Sequence, residues 1–227
     1  MNNNVIEFEN IKKIYNPDTI PVNALNGVTL SIKKGSFWAI MGTSGSGKST
    51  MLNIIGCLDR PTSGRYVINS ENPMSMNDAQ LSDLRLRSLG FVFQSFNLLP
   101  QLTVCENIEL PLFYMGVHPE ESRIRAEKLA EMVGLADRLE HRPFELSGGQ
   151  QQRVAVARAL TNNPEIILAD EPTGNLDSET STQIMDMLTD LNKQGKTIIM
   201  VTHEADIAKY AHSCLHMRDG KIDKIEE

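Results

Sequence analysis

Gly42-Thr43-Ser44-Gly45-Ser46-Gly47-Lys48-Ser49-Thr50 fills the pattern G-x-x-x-x-G-K-[ST] and follows directly on the apolar run Phe37-Trp38-Ala39-Ile40-Met41. Glycines let a backbone curl so that successive N–H groups point at one phosphate. The ammonium of Lys48 can reach β- and γ-oxygens, and the hydroxyl of Ser49 can ligate Mg²⁺. The preceding run predicts a buried strand, and Ser49-Thr50-Met51-Leu52-Asn53-Ile54-Ile55 predicts a helix whose positive end faces the anion. Strand, loop and helix are the context that this motif needs, so a nucleoside triphosphate is the expected ligand.

Composition sets the limits around that site. The chain has 227 residues, 41% of them apolar, enough for one large α/β domain with an ordinary core. No apolar run approaches the about 18 residues that span a bilayer. Met1-Asn2-Asn3-Asn4 lacks the basic-then-apolar order of a secretion leader, so a cytosolic location is expected. Cys57, Cys105 and Cys214 are three, far apart and outside any C-x-x-C spacing, which predicts reduced thiols. With a net charge of −7 and scattered Lys and Arg, a nucleic-acid partner is not expected.

Outward from the loop, Val5-Ile6-Glu7-Phe8-Glu9-Asn10-Ile11 and Val28-Thr29-Leu30-Ser31-Ile32 alternate with period two. They predict half-exposed antiparallel strands, with a turn signal at Asn16-Pro17-Asp18. Further strands are predicted near Tyr66-Val67-Ile68 and at Leu89-Gly90-Phe91-Val92-Phe93. From about residue 95 to 163 the pattern turns helical, at 104–115, 119–133 and from Gly149. Ile166-Ile167-Leu168-Ala169 reads as a strand covered on both faces, followed by a helix near 179–192, the strand 197–201, a helix from Glu204 and a closing hairpin at Asp219-Gly220.

Asp170 and Glu171 end that covered strand, at the edge where parallel sheets hold ligands. One carboxylate can hold Mg²⁺ and the next can deprotonate an attacking water, although a solvated strand end before Pro172 is the plainer explanation. Leu146-Ser147-Gly148-Gly149-Gln150 precedes a helix, and Ser147 with Gln150 has the spacing of a capping box. A glycine-rich helix N-terminus is equally an anion site.

Leu-Ser-Gly-Gly-Gln between a phosphate loop and an apolar strand ending Asp-Glu resembles the signature of the ATP-binding-cassette (ABC) ATPases, and the resemblance runs from about residue 5 to 225. It implies an α/β P-loop NTPase fold: a RecA-like parallel-sheet core with an antiparallel β subdomain (5–94 and 164–227) and an inserted helical subdomain (95–163), together one domain over 5–227. It implies ATP and Mg²⁺ as ligands. Tyr15 matches the aromatic residue that stacks on adenine, and Gln94 the glutamine that senses Mg²⁺ and water. Asp177, in Asn175-Leu176-Asp177, matches the loop that crosses to the partner subunit; as a residue it also suits a helix N-cap. His203 matches the switch histidine that contacts γ-phosphate. By the same resemblance Glu171 is the general base, Lys48 stabilises phosphate charge, and Ser49, Gln94 and Asp170 surround Mg²⁺. Two copies are expected head to tail, each ATP lying between the phosphate loop of one and Ser147, Gly148, Gly149 and Gln150 of the other.

Ser95-Phe96-Asn97-Leu98-Leu99-Pro100 and Ala169-Asp170-Glu171-Pro172-Thr173-Gly174-Asn175-Leu176-Asp177 are similar to the lipoprotein-release and macrolide-export subfamily. That implies a membrane permease, expected as a separately encoded subunit with an excised domain of a fused protein as the alternative, a peripheral place on the inner face of the membrane, and a docking groove near Phe96 and Leu98. Two rivals stand beside transport: ATP-driven mechanical signalling of the cell-division type, and a soluble ABC ATPase acting on nucleic acid. His212, Cys214 and His216 alternate on a strand, but the sequence offers at most a three-ligand face and no fourth ligand.

Overall fold

The computed structural model describes residues 3–17 and 19–227. Met1, Asn2 and Asp18 lie outside the described residues, and with them part of the amino-terminal reading and the end of the Asn16-Pro17-Asp18 signal. The chain divides into two compact units, Met1–Arg85 with Leu191–Glu227, and Leu86–Asp190.

In the first unit, β1 (Asn4–Tyr15) pairs antiparallel with β2 (Val22–Lys33) on one side and β4 (Ser63–Ile68) on the other. Alternation decides which face is covered: Ile6, Phe8, Leu30, Ile32, Tyr66 and Ile68 are buried, and the Phe8 and Tyr66 rings meet edge to face at 4.8 Å. β3 (Phe37–Gly42) lies between β7 (Thr197–Val201) and β8 (Ser213–Arg218), parallel to both, and β9 (Lys221–Glu226) returns antiparallel to β8. Phe37, Trp38, Ala39 and Ile40 are all buried, as parallel strands covered on both faces require. Parallel order puts the carboxyl ends of β3 and β7 at one edge, so residues 43–47 and 202–204 leave the sheet side by side. From that edge α1 (Lys48–Ile55) runs back, with Met51, Leu52, Ile54 and Ile55 buried. The short α7 (Ala205–Ala208) follows β7.

One helix has no counterpart in the sequence reading: α2 (Asp78–Ser88). Its apolar content is thin, with Leu81 and Leu84 as buried leucines. The missed signal is at its start, where the Asn77 N–H donates to Gln80 Oε1 and the Gln80 N–H to Asn77 Oδ1, a capping box built on Asn.

In the second unit, β5 (Leu89–Phe93) and β6 (Ile166–Asp170) are parallel and in register from Leu89 opposite Ile166 to Phe93 opposite Asp170. Gln94 and Glu171 therefore emerge together. The helices are α3 (Val104–Tyr114), α4 (Pro119–Met132), α5 (Gly148–Leu160) and α6 (Ser178–Lys193), whose last turn passes into the first unit. Val104, Ile108, Ala126, Ala130, Val133, Val154 and Ala157 make their shared core. Gly90 lets α5 approach β5, since a Cβ there would stand 2.4 Å from the Ala159 carbonyl oxygen. Thr103 and Glu106 cap α3 reciprocally.

Candidate nucleotide site

The phosphate loop is shaped by three glycines in conformations that L side chains rarely adopt: Gly42 (φ 153), Gly45 (φ 78) and Gly47 (φ 104). A Cβ at Gly42 would lie 2.4 Å from the Met217 carbonyl oxygen, and one at Gly47 2.5 Å from that of Ala24, whereas Gly45 faces open space. The loop is therefore closed behind and open in front. Gly47 caps α1 without a side-chain hydrogen bond, which leaves the N–H groups of the first helical residues for an anion. Ser46 is 3% exposed and its Oγ has no partner inside the loop. Lys48 Nζ donates to the carbonyl oxygens of Gly42 (2.8 Å) and Thr43 (2.9 Å), so the ammonium already lies over the cradle. An open glycine-lined concavity with an orphaned hydroxyl, an uncapped helix start and a lysine across it fits a polyphosphate. The exposed hydroxyl of Ser49 is a hard oxygen donor suited to Mg²⁺.

Behind the loop, the Gly220 N–H donates to the Ser46 carbonyl at 3.0 Å and the Asn26 N–H to that of Gly220 at 2.8 Å. The β8–β9 turn thus braces the cradle. Thr202, buried after β7, donates its N–H to Ile40 O and accepts the Glu204 N–H on Oγ1 (3.1 Å), which fixes the segment carrying the exposed His203.

Tyr15 closes β1 and is half-buried. Its hydroxyl donates to Asp59 Oδ2 at 2.7 Å, and Lys13 Nζ donates to Asp59 Oδ1 at 2.6 Å and sits 4.7 Å from the centre of the Tyr15 ring. Burial alone would raise the Asp59 carboxyl; the Lys13 and Tyr15 hydrogen bonds outweigh it and hold the pKa below the ordinary value. A ring fixed at its hydroxyl and backed by a cation is a ready stacking surface.

In the second unit, the Gln94 carbonyl accepts from Asn175 Nδ2 (3.0 Å), and a Cβ at Gly174 would stand 2.6 Å from Gln94 Nε2. Any side chain at that position would have to displace the Gln94 amide. Asp170 is half-buried at the end of β6. Glu171, also half-buried, takes φ 45, a left-handed conformation that costs a non-glycine residue about 1–3 kcal/mol and turns its side chain off the line of β6. Ser147 accepts the Gln150 N–H on its hydroxyl while Gln150 Oε1 accepts the Ser147 N–H, so the capping box is formed. Gly149 lies against Thr180, where a Cβ would meet Cγ2 at 2.4 Å, and Gly148 faces Phe96, Leu176 and the Asn175 carbonyl. Asp177 accepts from the Thr180 N–H (2.9 Å) and hydroxyl (2.7 Å), bonds that lower its pKa, so it does cap α6.

Each unit gathers its own share of the predicted residues: Tyr15, residues 42–50 and His203 in the first, Gln94, residues 147–150, Asp170, Glu171 and Asp177 in the second. Several supports escaped the sequence reading. Buried Asn107 ties the 99–103 loop to α3 through the Leu99 N–H and the carbonyls of Leu99, Leu102 and Thr103. Arg158 donates to the carbonyls of Asn97 (2.6 Å) and Phe96 (2.8 Å), which follow one another in left-handed conformation. Desolvation lowers the Arg158 pKa. Phe96 and Leu98 are half-buried, and Leu98 packs on the helical core.

The profile of the ABC transporter family matches residues 25–174. An uncharacterized ABC transporter ATP-binding protein of Thermotoga maritima is 51% identical over 222 residues, 98% of this chain and 95% of that one. The macrolide export ATP-binding/permease protein MacB of Brucella melitensis is 50% identical over 218 residues, which are 96% of this chain and 34% of that protein. Two structures of the ATP-binding cassette MJ0796, a protein of Methanocaldococcus jannaschii, superpose with TM-scores of 0.91, each covering 98% of both chains at 47% and 48% identity. Both are described as dimeric, one of them as a post-hydrolysis state bound to ADP and Pi. A cradle built for polyphosphate and a match across almost the whole length of such proteins lead to one conclusion: the chain belongs to the ABC transporter family and is an ATP-hydrolysing ATP-binding cassette.

Proposed function

We propose that two copies of this chain close head to tail around two MgATP and drive an integral membrane permease in export or in extrusion of an envelope substrate. The observation that carries this is the pair of glycine-rich helix starts, one at the phosphate loop and one at residues 147–150. The latter presents an exposed Ser147 and half-buried glycines, suited to the γ-phosphate held by the other copy. The dimeric form described for MJ0796 supports the arrangement.

In this reading Lys48 leaves the Gly42 and Thr43 carbonyls for the β- and γ-phosphate oxygens. Mg²⁺, when bound, would screen phosphate charge, and Ser49, Gln94 and Asp170 are the residues that would hold it. Glu171 takes a proton from water as the water oxygen bonds to γ-phosphorus and the bond to the β-phosphate oxygen breaks, releasing ADP and phosphate. His203 contacts γ-phosphate, Tyr15 stacks on adenine and Asp177 belongs to the loop that meets the partner copy. MacB unites a region like this chain with a permease in one polypeptide, which supports a membrane partner here and a place at the cytoplasmic membrane face. Among the described residues no helix is long and apolar enough to cross a membrane.

Lys48→Ala tests the nucleotide end of the proposal. Losing hydrogen bonds between charged groups, worth about 1.5–3 kcal/mol, should weaken MgATP by tenfold or more in a chain whose circular dichroism is unchanged. Wild-type affinity and turnover in that folded variant would overturn the assignment of the loop.

A further inference from the structure

The β8–β9 hairpin carries a cluster outside the nucleotide machinery. Cys214 and His216, two apart on β8, share one face, and the antiparallel register sets Glu226 of β9 opposite Cys214. Cys214 Sγ lies 3.4 Å from His216 Nε2, His216 Nε2 lies 3.4 Å from Glu226 Oε2, and the three ligand atoms all fall within 4.8 Å of one another. Lys224 Nζ holds the other carboxylate oxygen, Oε1, so Oε2 is turned to the imidazole. Sequence spacing raised His212, Cys214 and His216 as ligands and counted against them for want of a fourth. The structure replaces His212, which is exposed, by an acid from the neighbouring strand.

We propose that Cys214, His216 and Glu226 form a binding site for Zn²⁺. Tetrahedral zinc with Zn–S of about 2.3 Å and Zn–N and Zn–O of about 2.0–2.1 Å places its ligand atoms about 3.3–3.6 Å apart. The sulfur–nitrogen and nitrogen–oxygen separations therefore match before any movement. Hydrogen bonding is a poorer account of the second one, because an N–H···O bond is about 2.7–3.2 Å long. A thiolate, an imidazole and a single carboxylate favour a borderline-soft cation over Mg²⁺, which separates this site from the all-oxygen donors at the nucleotide. Three protein ligands on a half-exposed face leave the fourth position to water. The ion would clip β8 to β9 in the hairpin whose turn bonds the phosphate loop through the Gly220 N–H and Ser46 carbonyl.

The test uses the full chain without an affinity tag, kept reduced, and titrates Co²⁺ as a spectroscopic probe with Zn²⁺ as competitor. One Co²⁺ per chain is expected, with a near-ultraviolet thiolate charge-transfer band and intense visible bands of tetrahedral cobalt, all displaced by Zn²⁺. Cys214→Ser should lose the charge-transfer band. Glu226→Gln, at an exposed position that cannot threaten the fold, should weaken Zn²⁺ tenfold or more, and Lys224→Ala, which frees the carboxylate and removes a like charge, should tighten it. Absence of the band, its survival in Cys214→Ser, or an unchanged Zn²⁺ affinity in Glu226→Gln would each overturn the proposal.

Discussion

Tyr15 would be a strand residue like any other but for Asp59 and Lys13, which fix its hydroxyl and cover one side of its ring. If the free side stacks on adenine, Tyr15→Ala should cost about 1–3 kcal/mol of ATP affinity, and Tyr15→Trp should be tolerated. Asp59→Asn should lose less, about 0.5–1.5 kcal/mol, because it removes an acceptor but leaves the ring. Titration of the three variants with ATP by calorimetry checks the order; equal affinities for the wild type and Tyr15→Ala would move the adenine platform elsewhere. The motif residues at 42–50, 147–150 and 170–171 were legible because their chemistry lies in consecutive positions. Asp59, Lys13, Asn107 and Arg158 were not. Lys13 bonds a residue 46 positions away and Arg158 bonds carbonyls 61 and 62 positions away, and no local pattern marks either end of such pairs.

At the scale of elements, periodicity located the covered strands within a residue or so, since β5 and β7 are read directly as short apolar runs. It missed α2, whose face buries little, and the docking groove near Phe96 and Leu98 came from the resemblance alone. Both are half-buried, and Leu98 packs on the helical core. Consecutive exposed apolar side chains of the helical unit lie at the end of α3 and just beyond, where Phe113 is 73% exposed, Tyr114 69% and Met115 47%, while Phe144, Ile124 and Met132 are exposed singly elsewhere in the unit. Aromatic side chains left in water in a row are costly without a partner, and a membrane subunit is the partner that the proposed function requires. Phe113→Asp should therefore abolish co-purification with the permease while basal ATPase is retained. Intact binding by that variant would remove the end of α3 from the interface.

For the whole molecule, the parallel and antiparallel sheets were both foreseeable, because apolar runs and period-two alternation are different patterns. The backbone conformation at Glu171 was not, since φ 45 in a non-glycine residue leaves no trace in composition. The central claim is that ATP joins two cassettes and that Glu171 ends the union by hydrolysis. Glu171→Gln keeps size and hydrogen-bonding capacity but removes the charge that accepts the proton, so turnover should fall steeply while ATP still bridges two copies. Light scattering behind size-exclusion chromatography reads this directly. Glu171→Gln should be a monomer without nucleotide, a dimer with ATP, and a monomer with ADP, which has no γ-phosphate for Ser147 and Gly149 of the opposite copy. A Glu171→Gln chain that is saturated with ATP, does not hydrolyse it and stays monomeric over a broad concentration range would contradict the account.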